Sequence, residues 1–216
     1  HRCILLDTGL SEEREELEAA LLENGLTPAG VLCSHAHIDH CGNSGYFQQK
    51  YHIPAALSAP EAAICQNLLT LKCYFLTLSP AMVGQEYSCM IHTPDVLLPP
   101  QDGPFSFAGA EFTLIHTPGH SPGHVCTVTP DGVCYLADAV LSHELLGAKL
   151  PYNLSMAMCM ESREKLRGLP YDTYIMAHHG VCTGEELPHL IDENQALIRT
   201  RAEEIRSLIT HPMTSS

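Results

Sequence analysis

Between Cys33 and Asn43 the chain reads CSHAHIDHCGN, and His35, His37, Asp39 and His40 crowd imidazole and carboxylate into six positions. Imidazole nitrogen and carboxylate oxygen are the donors that borderline divalent metals such as zinc accept. Side chains two residues apart in extended chain point the same way, so His35 and His37 can share one metal. Asp39 and His40 follow a turn and can face a second metal; paired metals in hydrolytic sites lie about 3.5–4 Å apart. These residues do not complete two sites, and three downstream motifs offer the remainder. They are His120 in the Pro/Gly-rich HTPGHSPGH, Asp138 closing the apolar run YLAD, and His178-His179 in IMAHHG. An acid in apolar company, as Asp138 is, needs a compensating partner.

Every one of these motifs falls beyond a strand-like run. CILLD reads as a buried strand ending at Asp7-Thr8-Gly9, GVLCS as a strand ending at the histidine cluster, and YDTYIMA as a strand ending at His178-His179-Gly180. IPAALSA reads as extended. FSFAGAEFTLIHT predicts a β-hairpin turning at Ala-Gly, and HVCTVTPDGVCYLAD a second one turning at Pro130-Asp131-Gly132. A helix is expected over SEEREELEAALLENG, with Ser11 as its N-cap and Gly25 in the left-handed position that ends it. Others are expected over NSGYFQQKY, over PEAAICQNLL with Pro60 at the first position, around Ser155 to Arg167, and through LIDENQALIRTRAEEIRSLI. Residues 68–100 mix apolar and aromatic residues with Pro80, Pro94, Pro99 and Pro100 and read as an insertion or a lid. Strands and helices that interleave, with polar motifs at strand ends, predict a layered α/β domain whose site lies on loops beyond the strand edges.

A length of 216 residues fits one domain, and an apolar share of 45% supplies a core without disulfides. The formal net charge of −14 argues against nucleic acid or an anionic membrane surface as the main partner, leaving a small-molecule substrate. No run of 18 apolar residues occurs, so no membrane-spanning helix is expected. The chain opens directly on a strand with neither Met nor a signal peptide, and its true N-terminus is expected upstream. Ten cysteines without a CxxC pair read as reduced, buried thiols, as in a cytoplasmic protein. Cys41 and Cys182 are read as packing residues, and His116 and His124 as strand residues or supports of ligands. Tyr74, Phe75, His143 and Tyr152 are read as ordinary core or surface residues, with pocket lining as the alternative.

The ordered set of motifs resembles the metallo-β-lactamase fold superfamily. The matching residues are the HxHxDH run His35–His40, the TPGH run Thr117–His120, Asp138 of LAD, His179-Gly180 of HHG, and the early Asp7-Thr8-Gly9. The resemblance implies a four-layer αβ/βα sandwich spanning residues 1–216 as a single domain, here with the family's N-terminal strands apparently missing. It implies two divalent metal ions, zinc foremost, with iron or manganese accepted by the same donors. His35, His37 and His120 would hold the first metal, and Asp39, His40 and His179 the second. Asp138 would bridge both together with a hydroxide, the nucleophile. Asp39 would orient that hydroxide and relay a proton, while Asp7 would support a ligand histidine from outside the coordination shell.

The implied activity is hydrolysis of an ester, thioester, lactone or amide, as in a glyoxalase II-like branch without its helical C-terminal domain. The competing reading is an oxidoreductase. Some relatives of the fold use one iron, held by two histidines and an aspartate, to oxidise glutathione persulfide. Of His35 and His37, spacing alone does not say which would be kept in that case. A binding protein without turnover is the third reading, disfavoured by the intact ligand set.

Overall fold

The computed structural model describes residues 1–147, 152–178 and 180–209. The first half runs β1 (Arg2–Leu6), α1 (Arg14–Glu23), β2 (Thr27–Leu32), α2 (Ile38–Cys41), α3 (Ser44–Tyr51), β3 (Ala55–Leu57), α4 (Ala59–Ile64), α5 (Leu68–Tyr74), α6 (Pro80–Glu86) and β4 (Val96–Leu97). The second runs β5 (Gly103–Phe107), β6 (Ala110–His116), β7 (Val125–Val128), β8 (Val133–Ala137), α7 (His143–Leu146), α8 (Met156–Arg167), β9 (Thr173–Met176), β10 (Gly180–Thr183) and α9 (Leu187–Leu208).

Among the described residues, β1-β2-β3-β4 form one parallel sheet and β10-β9-β8-β7-β6-β5 a second, mostly antiparallel one. Three apolar clusters fill the spaces between layers. Val31, Ala55 and Leu57 pack beneath helices that contribute Phe47, Ile64, Leu71 and Val83. Leu32, Ala56 and Leu98 of the first sheet meet Phe107, Phe112, Leu114 and Val125 of the second. Leu136, Tyr174 and Met176 pack against Leu166, Leu187, Leu190 and Ile191 of α8 and α9. Helices, sheet, sheet, helices is the αβ/βα sandwich expected from the sequence. β2 is buried along nearly its whole length because neighbours cover both of its edges and layers cover both of its faces.

Strand direction gathers the polar motifs. β1 runs parallel to β2, and β8 parallel to β9; β6 shares the direction of β8 through the antiparallel β7 between them. The C-terminal ends of β6, β8 and β9 therefore open onto one edge of their sheet. That edge is joined to the end of β2 where the Val125 amide donates to the Ser34 carbonyl at 3.0 Å.

The Ala108-Gly109 hairpin forms as expected, with both residues at positive φ, +49° and +87°, the combination a two-residue hairpin turn requires. Gly25 also adopts its left-handed conformation. Two expectations change. Ser11 does not cap α1: it begins a short 3-10 turn, in which the Glu13 carboxylate accepts from the Leu10 amide at 3.0 Å. The stretch PEAAICQNLL is two helices, because the Asn67 side chain captures the Leu69 and Thr70 amides and starts α5 afresh. Residues 68–100 hold α5, α6, a 3-10 turn at Ser88–Met90, and β4.

Candidate metal centre

The loop after β2 carries His35 and leaves His37 on extended backbone, and α2 starts at once with Asp39 and His40 in its only turn. His35 Nε2 and His120 Nε2 each stand 2.9 Å from His37 Nδ1. Asp138, at the end of β8, sets Oδ2 at 3.1 Å from His120 Nε2, 3.4 Å from His40 Nε2 and 4.0 Å from His35 Nε2. Its Oδ1 lies 3.4 Å from His178 Nε2. Asp39 Oδ2 lies 3.2 Å from His178 Nε2 and 3.7 Å from His40 Nε2. Two donor groups meet at Asp138, His35-His37-His120-Asp138 and Asp39-His40-His178, and Asp7, His35 and His40 form a third behind them. The sequence reading gave the last position to His179. That residue lies outside the described residues, and the imidazole set against Asp39 and Asp138 is that of its neighbour His178.

The far nitrogens of the rings fix what the near ones can do. His120 Nδ1 is 3.0 Å from the Tyr152 carbonyl, which can only accept, so Nδ1 carries the hydrogen. His40 Nδ1 donates to the Asp7 carboxylate at 2.7 Å. Ser34 Oγ donates to Asp7 and therefore accepts from His35 Nδ1 at 2.9 Å. In the neutral rings, Nε2 of His35, His40 and His120 then bears a lone pair aimed at one small volume. His37 presents Nδ1 there, its Nε2 resting 2.7 Å from the Tyr74 hydroxyl. Lone pairs this close repel unless a proton or a metal cation lies among them. Two nitrogens on one tetrahedral zinc sit about 3.3 Å apart, close to the spacing seen. His40 Nε2 is buried and has no hydrogen-bond partner. The donor set fits divalent metal ions.

Electrostatics agree. Burial pushes His35 well below the ordinary histidine range, helped by the neighbouring imidazoles, and lowers His37 to about 3. Burial also works against a charged His40, but Asp7 and Asp138 overcome it and hold the ring well above that range. Hydrogen bonds to Asp138 and Asp39 raise His178 to about 10. Burial favours a neutral Asp138, yet His120, His178 and His40 keep it far below the carboxylate range. His35 and His37 are thus held neutral, while Asp7, Asp39 and Asp138 surround His40 and His178 with negative charge, and a centre of this kind attracts a cation.

The Asp7 carboxylate lies directly against His40. Beyond His40 it accepts from Ser34 N, Ser34 Oγ and Tyr135 Oη, each at 2.7 Å. Tyr135 lies 128 residues away in the chain, and no local signal pairs the two. His124 is buried and supports Asp138, accepting from its backbone amide at 3.2 Å and pairing with Thr117 Oγ1 at 2.8 Å. His116 lies against the Pro99 carbonyl at 2.9 Å. Cys41 and Cys182 are buried packing residues. A cavity of about 570 Å³ opens over the centre, with His37, Asp39, His120, Asp138 and His178 on its floor. Ile38, Tyr74, Phe75, Leu76, Tyr87, Leu141, Leu145 and Tyr152 are among its walls. His143 is elsewhere, paired with Glu193 at 2.7 Å.

Comparison with known proteins points the same way. The probable metallo-hydrolase YqgX of Bacillus subtilis (strain 168) is 29% identical over 180 residues, 83% of this chain and 80% of that protein. The hydroxyacylglutathione hydrolase of Xanthomonas axonopodis pv. citri (strain 306) is 23% identical over 208 residues, 96% of this chain and 68% of that protein. The solved structure of the metallo-beta-lactamase family protein TTHA1429 from Thermus thermophilus matches the fold with a TM-score of 0.75. That match covers 98% of this chain and 75% of the other at 23% identity. The profile of the metallo-beta-lactamase superfamily matches residues 1–178, which take in both donor groups, and the chain belongs to that superfamily.

Proposed function

We propose that the protein is a metal-dependent hydrolase that cleaves an ester, thioester, lactone or amide at this centre. The observation that carries the reading is the convergence of the His35, His40 and His120 lone pairs beside Asp138, with each ring's other nitrogen already engaged. His35, His37 and His120 would hold one cation, Asp39, His40 and His178 the other, and Asp138 both. Zinc suits this nitrogen and oxygen set, and iron or manganese is accepted by the same donors. Bound there, a pair of divalent cations supplies an activated water and a Lewis acid for the substrate carbonyl.

The protein's own residues do the rest. Asp39 faces the cavity with its side chain 35% exposed and its affinity for protons lowered: burial opposes this, but His178 and His40 outweigh it. It stays ionised at neutral pH and is placed to take a proton from water and pass it to the leaving group. Asp7 and Tyr74 hold His40 and His37 in register from behind. The apolar walls remove water from the reacting bond and favour a substrate with an uncharged acyl or alkyl group.

Two measurements test the reading together. Metal content of protein purified without added metal or chelator should approach about two ions per chain. Esters, thioesters and lactones should then turn over in wild type and fail in a metal-replete Asp138→Ala variant. Unchanged turnover in that variant refutes the assignment. A single iron per chain with oxygen uptake on a persulfide substrate replaces it with the oxidoreductase.

A further inference from the structure

Glu61 was not among the residues that the sequence singled out, and it does not face the cavity. It is the third residue of α4 and is completely buried. A carboxylate is among the side chains least often buried, and one at this depth is retained for what it holds. Its two oxygens reach in different directions. Oε2 accepts from the Ala36 amide at 2.9 Å, and Ala36 lies between His35 and His37. Oε1 accepts from the Gly123 amide at 2.6 Å, and Gly123 closes the loop that carries His120. The same turn of α4 grips Gly123 from the other side, where Ser58 Oγ donates to the Gly123 carbonyl at 2.7 Å. There is no room for a side chain at this point. A Cβ on Gly123 would collide with Ser58 Oγ and approach Pro60 Cβ to 3.0 Å and Glu61 Cγ to 3.1 Å.

We propose that Glu61 is the positioning residue of the three-histidine site: one buried carboxylate ties the His35–His37 loop to the His120 loop and sets that site's metal affinity. The proposal rests on reading His35, His37 and His120 as ligands of one cation. These ligands come from strands in different sheets, and the two loops share no strand pairing. Added to the single backbone bond from the Val125 amide to the Ser34 carbonyl at the loop stems, a carboxylate that accepts from both loops fixes the separation of the rings. Asp39, His40 and His178 are not tied by Glu61. His40 is held from behind by Asp7, Asp39 pairs with His178, and none of the three bonds to Glu61, so loss of Glu61 is felt at one site and not the other.

The test is equilibrium titration of metal-stripped protein with zinc against a chromophoric chelator. It is run in an Asp39→Ala/His178→Ala background, which leaves the three-histidine site, and in a His37→Ala/His120→Ala background, which leaves the other. Glu61→Gln keeps the shape of the side chain but sets its NH2 against an amide N–H, donor facing donor. The expected result is about 10- to 100-fold weaker zinc binding at the three-histidine site, with the other site unchanged within about threefold. Gly123→Ala keeps the carboxylate and displaces its partner, so it should reproduce the effect and carries the test if Glu61→Gln does not fold. Leu187→Ala, a core truncation against α8 and β9, controls for general destabilisation and should leave both affinities alone. Equal weakening at both sites, weakening no greater than in Leu187→Ala, or no weakening overturns the proposal. Absence of zinc binding by the wild-type chain defeats the metal-site reading itself, and the proposal with it.

Discussion

Replacing Asp7 by asparagine tests how the centre is held from behind. The carboxylate gathers four donors at 2.7 Å: Ser34 N on Oδ1, and Ser34 Oγ, His40 Nδ1 and Tyr135 Oη on Oδ2. Its side chain is only 6% exposed, so solvent cannot substitute. Asparagine fills the same space but has one acceptor oxygen. Turned to keep the three donors on that oxygen, it sets its NH2 against the Ser34 amide. The His40 imidazolium of the metal-free protein also loses its closest counter-charge. Removing one member of a buried charged pair costs about 3–5 kcal/mol, a large share of the ~5–15 kcal/mol that holds a domain folded. In the metal-loaded protein the same substitution frees the His40 ring, and binding at the Asp39-His40-His178 site should weaken by about 10- to 100-fold. Denaturant unfolding of the metal-free chain reads the first quantity, and zinc titration against a chelator the second. A stability loss under about 1 kcal/mol together with an affinity within threefold of wild type would refute the role given to Asp7.

Tyr74→Phe removes the hydroxyl that rests on His37 Nε2, and the three-histidine site should lose several-fold in zinc affinity while the fold survives; a chelator titration and a circular dichroism melt separate the two effects. The metal-free chain should be most stable near pH 6.5. The His37 pKa falls from 6.5 to about 3 on folding, so its contribution is present above 6.5 and lost as the pH drops toward 3. His178 rises from 6.5 to about 10, so its contribution is present below 6.5 and lost as the pH climbs toward 10. Metal binding should abolish the alkaline loss, because a coordinated His178 is already neutral; chemical denaturation from pH 4 to 10 with and without zinc checks both limbs.

The layered fold and most of the candidate donors were legible in the sequence because those features are local. Alternating or continuous apolar runs reveal β1, β2, β6 and β8, and HxHxDH places four donors within one loop and one turn of helix. Contacts formed across the sandwich were not legible. Glu61 looked like an ordinary acid in a helix, and only the approach of two loops gives it partners. Tyr135 alternates outward from β8 like any strand residue until Asp7 arrives from the other sheet. His178 and His179 are adjacent and identical in type, so the sequence offers little ground for choosing between them, and the chain after β9 sets His178 against Asp138. β10 follows too closely on that turn to be seen as a separate strand. The helix break at Asn67 was missed because apolar residues continue through it; the capping side chain overrode the pattern.

The donors of the centre also divide by origin. His35, His37, Asp39 and His40 belong to the sheet packed under α3, and His120, Asp138 and His178 to the sheet packed under α8 and α9. Cations held between them would fasten the two halves, which also meet through the apolar cluster of Leu32, Ala56, Phe107, Phe112 and Leu114 and through the Asp7–Tyr135, Glu61–Gly123 and Val125–Ser34 hydrogen bonds. Loading would then be linked to the survival of the whole chain as well as to the proposed chemistry, since whatever binds only the closed form draws the equilibrium away from partly opened ones. On this reading a chain starved of metal would open along this seam more often and meet proteases there, tying its lifetime to metal supply.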